Sequence, residues 1–186
     1  FSTLSEEVVI DYMKSHCPTF TGTSTVSLAM KYNIKPIGTM AHETFMFQAA
    51  IHSPKDANFM VMENWVKVYD GNLGTVLTDT YTVNEFLRSF SMKLAKLYDG
   101  VRHDSGCPFE FGDKIIKKYE SYGIDPMSKS IIFSDSLDFE KCAELKKYFE
   151  ECKEYRIKSI THNIEMCKNN IANYEKQLNN LKTQKF

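Results

Sequence analysis

The sequence predicts an α/β protein in which helices pack on a parallel sheet. Short apolar runs of strand length alternate with stretches of helical spacing through residues 1–150, the order that builds strand–helix–strand units. Each apolar run ends in polar residues, at 39–43, 78–80, 102–105 and 134–138. Right-handed crossovers bring the carboxyl ends of parallel strands to one face, where α/β enzymes place their chemistry. With 186 residues, 42% hydrophobic and 25% charged, the chain can bury a sizeable core.

The elements follow in order. Ser5 caps a first helix with Glu6 and Glu7 in its first turn and Val8, Val9, Tyr12 and Met13 as its apolar face. The loop Phe20–Thr23 leads to a helix over 24–32, and residues 34–39 read as a strand. Helical spacing covers 42–52 and 58–69, with Ser53-Pro54 as the breaker between them. A second strand is expected at 74–79, a short helix at 83–90 and a third strand at 98–104. A helix over 109–122 closes at Gly123, a fourth strand spans 130–133, and a helix runs from Leu137 to about Lys153.

The last segment has another character. No Gly or Pro follows Pro126, and Ile157, Ile160, Ile164, Cys167, Ile171, Tyr174, Leu178 and Leu181 alternate three- and four-residue steps. That is a heptad seam, so residues 151–186 are expected as a separate helical tail behind a domain at 1–150.

Several classes are set aside by composition. Lys plus Arg is 23 against 24 for Asp plus Glu, which gives no basic face for nucleic acid. The five cysteines are odd in number and lack a Cys-x-x-Cys pair, so reduced thiols in the cytoplasm are expected, without disulfide framework or structural zinc. The start lacks the basic and apolar regions of a signal peptide, and no apolar stretch is long enough for a membrane span. The first residue is Phe1 rather than Met, read as a processed start or part of a longer chain. A complete (β/α) barrel needs at least about 200 residues.

Familiar local signatures are absent. There is no Gly-rich dinucleotide loop, no Walker phosphate loop and no Gly-x-Ser-x-Gly elbow. His42-Glu43 opens like a zinc-protease motif, but Phe45-Met46 stands where the second histidine belongs; Asp135–Asp138 lacks the spacing and glycine of a calcium loop. No metal site made by protein side chains alone is expected.

Five segments are specific together: Phe20-Thr-Gly-Thr-Ser-Thr25, Gly38-Thr-Met-Ala-His-Glu43, Leu77-Thr-Asp79, Arg102-His-Asp-Ser-Gly-Cys-Pro108 and Phe133-Ser-Asp-Ser-Leu-Asp138. In this order they resemble the nicotinate phosphoribosyltransferase family over about residues 1–150, and Tyr122–Pro126 adds to the match. The resemblance implies a partial (β/α) barrel of about four strand–helix units followed by the long C-terminal helix. It implies an ATP-coupled ligase of NAD salvage, joining nicotinate to phosphoribosyl pyrophosphate through a phosphohistidine. ATP as co-substrate and Mg²⁺ come with it, the latter to neutralise pyrophosphate. The motifs of the related nicotinamide enzyme differ from these, which favours nicotinate.

Carried over by position, His42 matches the phosphoacceptor, a role suited to a neutral imidazole nitrogen. Glu43 flanks it as a further catalytic candidate. Thr39 matches a position lining the substrate pocket, and Arg102 a substrate arginine whose fork suits carboxylate or phosphate. Asp104 is assigned to the ribose hydroxyls and to steadying the cationic sugar. Thr23, Ser24, Asp79, Ser105 and Asp135 complete the substrate-binding candidates. The plainer readings are a helix-start histidine bonded to backbone, an Arg102–Asp104 surface pair worth at most about 1 kcal/mol, and loop or helix caps at Asp79 and Asp135.

Departures from the family pattern are Cys107 in place of an aspartate and Thr25 in place of asparagine. The family's upstream nicotinate-holding segment and later phosphate loop have no counterpart in these 186 residues. The chain is therefore read as a truncated form with little turnover alone. Nicotinate and phosphoribosyl pyrophosphate are the expected partners, without nucleic acid or membrane and with room for a homodimer. The other reading is a catalytically dead half-barrel that acts as an interaction protein, oligomerising through the seam at 157–181.

Overall fold

The structure, a computed structural model, describes residues 3–152. The heptad seam lies outside the described residues, as does all of the expected tail beyond residue 152. Residues 3–106 together with 110–135 form one compact unit, and 107–109 with 136–152 belong to a second.

The first unit opens with α1 (Thr3–His16), β1 (Gly22–Thr23), α2 (Val26–Tyr32) and β2 (Lys35–Pro36). Next come α3 (His42–Ile51), α4 (Pro54–Tyr69), β3 (Thr75–Leu77), α5 (Val83–Ser89) and α6 (Met92–Leu97). It ends with β4 (Gly100–His103), all but the first two residues of α7 (Pro108–Ser121), and β5 (Ser130–Phe133). β1 pairs with β2, and β3, β4 and β5 form a three-stranded sheet in chain order; every pairing is parallel. The alternation expected from sequence is thus present, as small parallel sheets among helices.

Register positions the site. Leu77 lies opposite Arg102, Arg102 opposite Ile132, and His103 opposite Phe133. The residues that follow the three strands therefore emerge side by side. Two bonds lock the ends together: Thr78 Oγ1 donates to the Arg102 carbonyl at 2.9 Å, and the Ser134 amide to the His103 carbonyl at 3.0 Å.

Beneath these ends sits one apolar core. Val76 and Leu77 of β3 and Val101 of β4 are buried with Phe45, Val61, Met62, Phe86, Phe90, Leu94, Ile115 and Tyr119 from the helices. α4 turns Ala57, Asn58, Val61 and Met62 inward, the stripe that helical spacing dictates. Each large apolar side chain so buried contributes about 1.5–3 kcal/mol.

Four features differ from the sequence expectation. Ser53-Pro54 separates α3 from α4 as expected, but α4 begins at Pro54 and not at 58: Ser53 Oγ accepts the Asp56 amide, and Pro54 takes the first helical position, where its missing N–H costs nothing. The expected strand at 34–39 shrinks to two residues around Pro36, which cannot donate to a ladder. Its partner lies in the expected loop, where Gly22 allows an approach that any Cβ would block against the Lys35 carbonyl. α1 buries Ile10, while Val8, Val9 and Tyr12 stay exposed. The helix is held instead by Glu6, whose carboxylate accepts from Thr23 and Thr25 at 2.8 and 2.9 Å.

The described part of the second unit contains a helix over 139–152, inside the span expected from Leu137. Within it, Lys141 lies over the Phe109 ring and Tyr148 meets that ring edge-on. Cys17, Cys107, Cys142 and Cys152 are free thiols. Among the described residues no helix is long and apolar enough to cross a membrane.

Candidate active site

The site grows from the polar residues that follow β3, β4 and β5. Strand alternation points Val101 and His103 into the core and Arg102 and Asp104 to the other side. His103 packs its ring between Phe111 and Phe133, with centroids 5.0 and 5.7 Å away. Neither of its ring nitrogens has a hydrogen-bond partner. It packs the strand from below.

His42 is the first residue of α3, after an Ala41 N-cap whose side chain makes no capping bond. The helix start carries its ring across to the strand ends. Nε2 lies 3.1 Å from Asp104 Oδ2 and 4.0 Å from Asp79 Oδ1; Nδ1 lies 3.1 Å from Thr80 Oγ1. The ring is thus bound on both nitrogens by side chains, not by backbone as the plainer reading of His42 has it.

Arg102 spreads its fork over three partners. Nη2 meets Asp104 Oδ2 at 2.9 Å, Nη1 donates to Thr39 Oγ1 at 2.8 Å, and Nε donates to Ser134 Oγ at 2.8 Å. Ser134 Oγ lies 2.6 Å from Asp104 Oδ1 and 2.8 Å from the His103 carbonyl, so its single proton serves one of them at a time. Asp79 Oδ2 accepts from Ser105 at 2.5 Å. Its Oδ1 is buried with no hydrogen-bond partner among the described residues.

Asp104 is the hub. Partial burial acts to raise its pKa, but hydrogen bonds from Ser134, Arg102 and His42 and the charge of Arg102 outweigh that and hold it below the usual carboxylate range. The result is a fixed anion against the imidazole, with a guanidinium on its other side. One ligand atom from each of His42, Asp79 and Asp104 lies within 4.8 Å of the other two.

Of the residues singled out in the sequence, the structure gathers Thr39, His42, Asp79, Arg102, Asp104 and Ser105 into one network. Arg102 and Asp104 are paired, but inside this network and not as an isolated surface pair. Thr23 is buried elsewhere, donating to Glu6, and Ser24 is exposed beside it. Glu43 is exposed in the first turn of α3, and Asp135 is half-buried just after β5. Thr80 and Ser134 belong to the network without having been singled out. Both stood in the polar clusters at strand ends, where a hydroxyl carries no charge pattern to draw attention to it.

The family model described as Nicotinate phosphoribosyltransferase (NAPRTase) matches residues 1–164. The chain belongs to the nicotinate phosphoribosyltransferase family. It is 45% identical over 150 residues to the nicotinate phosphoribosyltransferase of Vibrio cholerae, covering 80% of this chain and 34% of that protein. To the Methanosarcina mazei protein of the same name it is 51% identical over 132 residues, 71% of this chain and 32% of the relative. The crystal structure of a V. cholerae nicotinate phosphoribosyltransferase superposes with a TM-score of 0.76 at 45% identity, covering 80% of this chain and 36% of that one. The chain therefore spans about a third of the length of these nicotinate phosphoribosyltransferases. All of the His42 network lies inside the matched residues.

Proposed function

We propose that this chain carries the phosphoacceptor and ribose-side residues of a nicotinate phosphoribosyltransferase. The reaction forms nicotinate mononucleotide from nicotinate and phosphoribosyl pyrophosphate, coupled to ATP hydrolysis through phosphorylation of His42, in NAD salvage. One observation carries the reading: the His42 ring is held at both nitrogens by side chains of the family motifs, Asp104 and the Thr80 that follows Leu77-Thr-Asp79. The consecutive parallel order β3-β4-β5 supports the view that these strands are an arc of a (β/α) barrel. The partial barrel of 1–150 and the helical tail of 151–186 are kept as part of this proposal.

The geometry supports a role for each residue. Asp104 accepts the Nε2 proton, which leaves the Nδ1 lone pair to accept from the Thr80 hydroxyl. When Thr80 turns aside, Nδ1 attacks the γ-phosphorus of ATP, the bond to the ADP oxygen breaks, and the ring becomes cationic. Asp104 then faces that cation through the same Nε2–H, a preorganised anion where positive charge develops. Arg102 is oriented by Thr39, Ser134 and Asp104; its remaining N–H groups suit the carboxylate of nicotinate or a phosphate oxygen. Asp79 and Ser105 stand beside this position for the ribose hydroxyls.

Magnesium fits the site in part. Asp79 Oδ1 is a hard oxygen donor, buried and without a hydrogen-bond partner among the described residues, and Mg²⁺ is usually held by one or two carboxylates together with substrate phosphates. When bound, the ion would neutralise the pyrophosphate charge.

The test is label transfer. The γ-phosphate of labelled ATP is expected on the wild-type chain and not on His42→Ala. Equal labelling of both overturns the assignment.

A further inference from the structure

The cluster of His42, Asp79 and Asp104 has more capacity than the phosphoacceptor role uses. Its donors come from the start of α3 and the ends of β3 and β4 and lie within 4.8 Å of one another. Distances from His42 Nε2 are 3.1 Å to Asp104 and 4.0 Å to Asp79. A tetrahedral ion with ligand bonds of about 2.1 Å holds its donors about 3.4 Å apart. Closing to that spacing needs a small swing of the His42 ring, which is 39% exposed at its helix end, and a matching adjustment of the two carboxylates.

The second observation is Asp79. Its side chain is only 8% exposed, its Oδ2 is taken by Ser105, and its Oδ1 faces His42 with no hydrogen-bond partner among the described residues. A buried carboxylate oxygen without a donor is costly. A cation in front of it would remove that cost.

We infer that these three residues form a site for a borderline divalent transition-metal ion, of the Zn²⁺ or Co²⁺ type, held by the protein alone and antagonistic to phosphorylation of His42. One imidazole and two carboxylates make a nitrogen–oxygen set that suits such ions and leaves a fourth position for water. Mg²⁺ differs, since it prefers oxygen donors and reaches this site with substrate phosphate. Metal on Nε2 replaces the proton shared with Asp104, which is released to solvent. The ring then cannot become the Asp104-paired cation that phosphorylation produces. Arg102 approaches the same Asp104 oxygen at 2.9 Å, so the ion competes with a guanidinium and binds reversibly, weaker than in a structural zinc site.

The test uses Co²⁺ alone with the whole chain, without nucleotide or substrate. One equivalent is expected to give the visible d–d absorption of a nitrogen–oxygen site, without the near-ultraviolet thiolate band that binding at the free cysteines would produce. His42→Ala should abolish this band, and Asp79→Asn should weaken binding by at least about tenfold while keeping the wild-type melting profile. Zn²⁺ should also suppress labelling of His42 by ATP and Mg²⁺, and a chelator should restore it. Absence of the band, a thiolate band in its place, or unchanged affinity in Asp79→Asn overturns the inference. Cobalt binding is read without ATP, so its failure is separable from failure of the phosphohistidine assignment.

Discussion

Asp104 accepts from a histidine, an arginine and a serine at once, and its depressed pKa makes that convergence measurable. A folded-state pKa below the unfolded one means that the folded chain binds this proton less readily. The stabilisation is then complete above the unfolded carboxylate value, near pH 4, and is lost as pH falls through the lower folded value. Replacing Asp104 by Asn should cost about 1.5–3 kcal/mol at neutral pH, the range for hydrogen bonds to a charged group. Urea unfolding of both proteins between pH 3 and pH 8 measures it. The gap should be constant above about pH 4 and shrink in acid; a gap independent of pH would contradict the charged-hub reading of Asp104.

At the scale of elements, β4 holds the site because both of its neighbours fix its register. Gly100 is where that fixing is tightest. A Cβ there would collide with the Ser130 backbone carbonyl of β5 and crowd the Ser130 Cβ, and backbone cannot move aside as a flexible side chain can. Gly100→Ala should therefore lower stability by about 1–3 kcal/mol. Gly38→Ala, where a Cβ meets nothing within 4 Å, should stay within about 0.5 kcal/mol of wild type. Equal effects in a urea series would show that the close approach of β4 and β5 is not limiting.

The same elements show what could be read from sequence. β3, β4, β5 and α7 were legible because apolar runs and helical spacing report burial, and these elements do line the core. α1 was misjudged in its buried face because periodicity names a stripe without naming a partner, and its tie to the rest runs through the Glu6 carboxylate. β1 and the six-residue α6 were missed because segments so short carry too little periodicity to read, and β2 was expected longer than the two residues it keeps. At the site, charged and motif-bearing residues stood out, whereas the hydroxyls of Thr80 and Ser134 became meaningful only once register had aligned the strand ends.

For the whole molecule the question is what His42 can do in a chain that spans about a third of its relatives. The network holds both nitrogens of the ring, but the ring at its centre remains 39% exposed. Productive transfer depends on excluding water from a reactive intermediate, and ligand sites usually enclose most of their ligand. On the proposed phosphoacceptor role of His42, an open phosphohistidine is instead discharged by water. The chain alone should therefore release inorganic phosphate from ATP with little or no nicotinate mononucleotide formed, even with nicotinate and phosphoribosyl pyrophosphate saturating. The phosphate release should vanish in His42→Ala, which separates it from contaminating phosphatase. Measuring phosphate and nicotinate mononucleotide in the same reaction gives the ratio directly. A ratio near one, at rates like those of the full-length relatives, would mean that these 186 residues shield the site by themselves and that exposure of His42 is not what limits transfer.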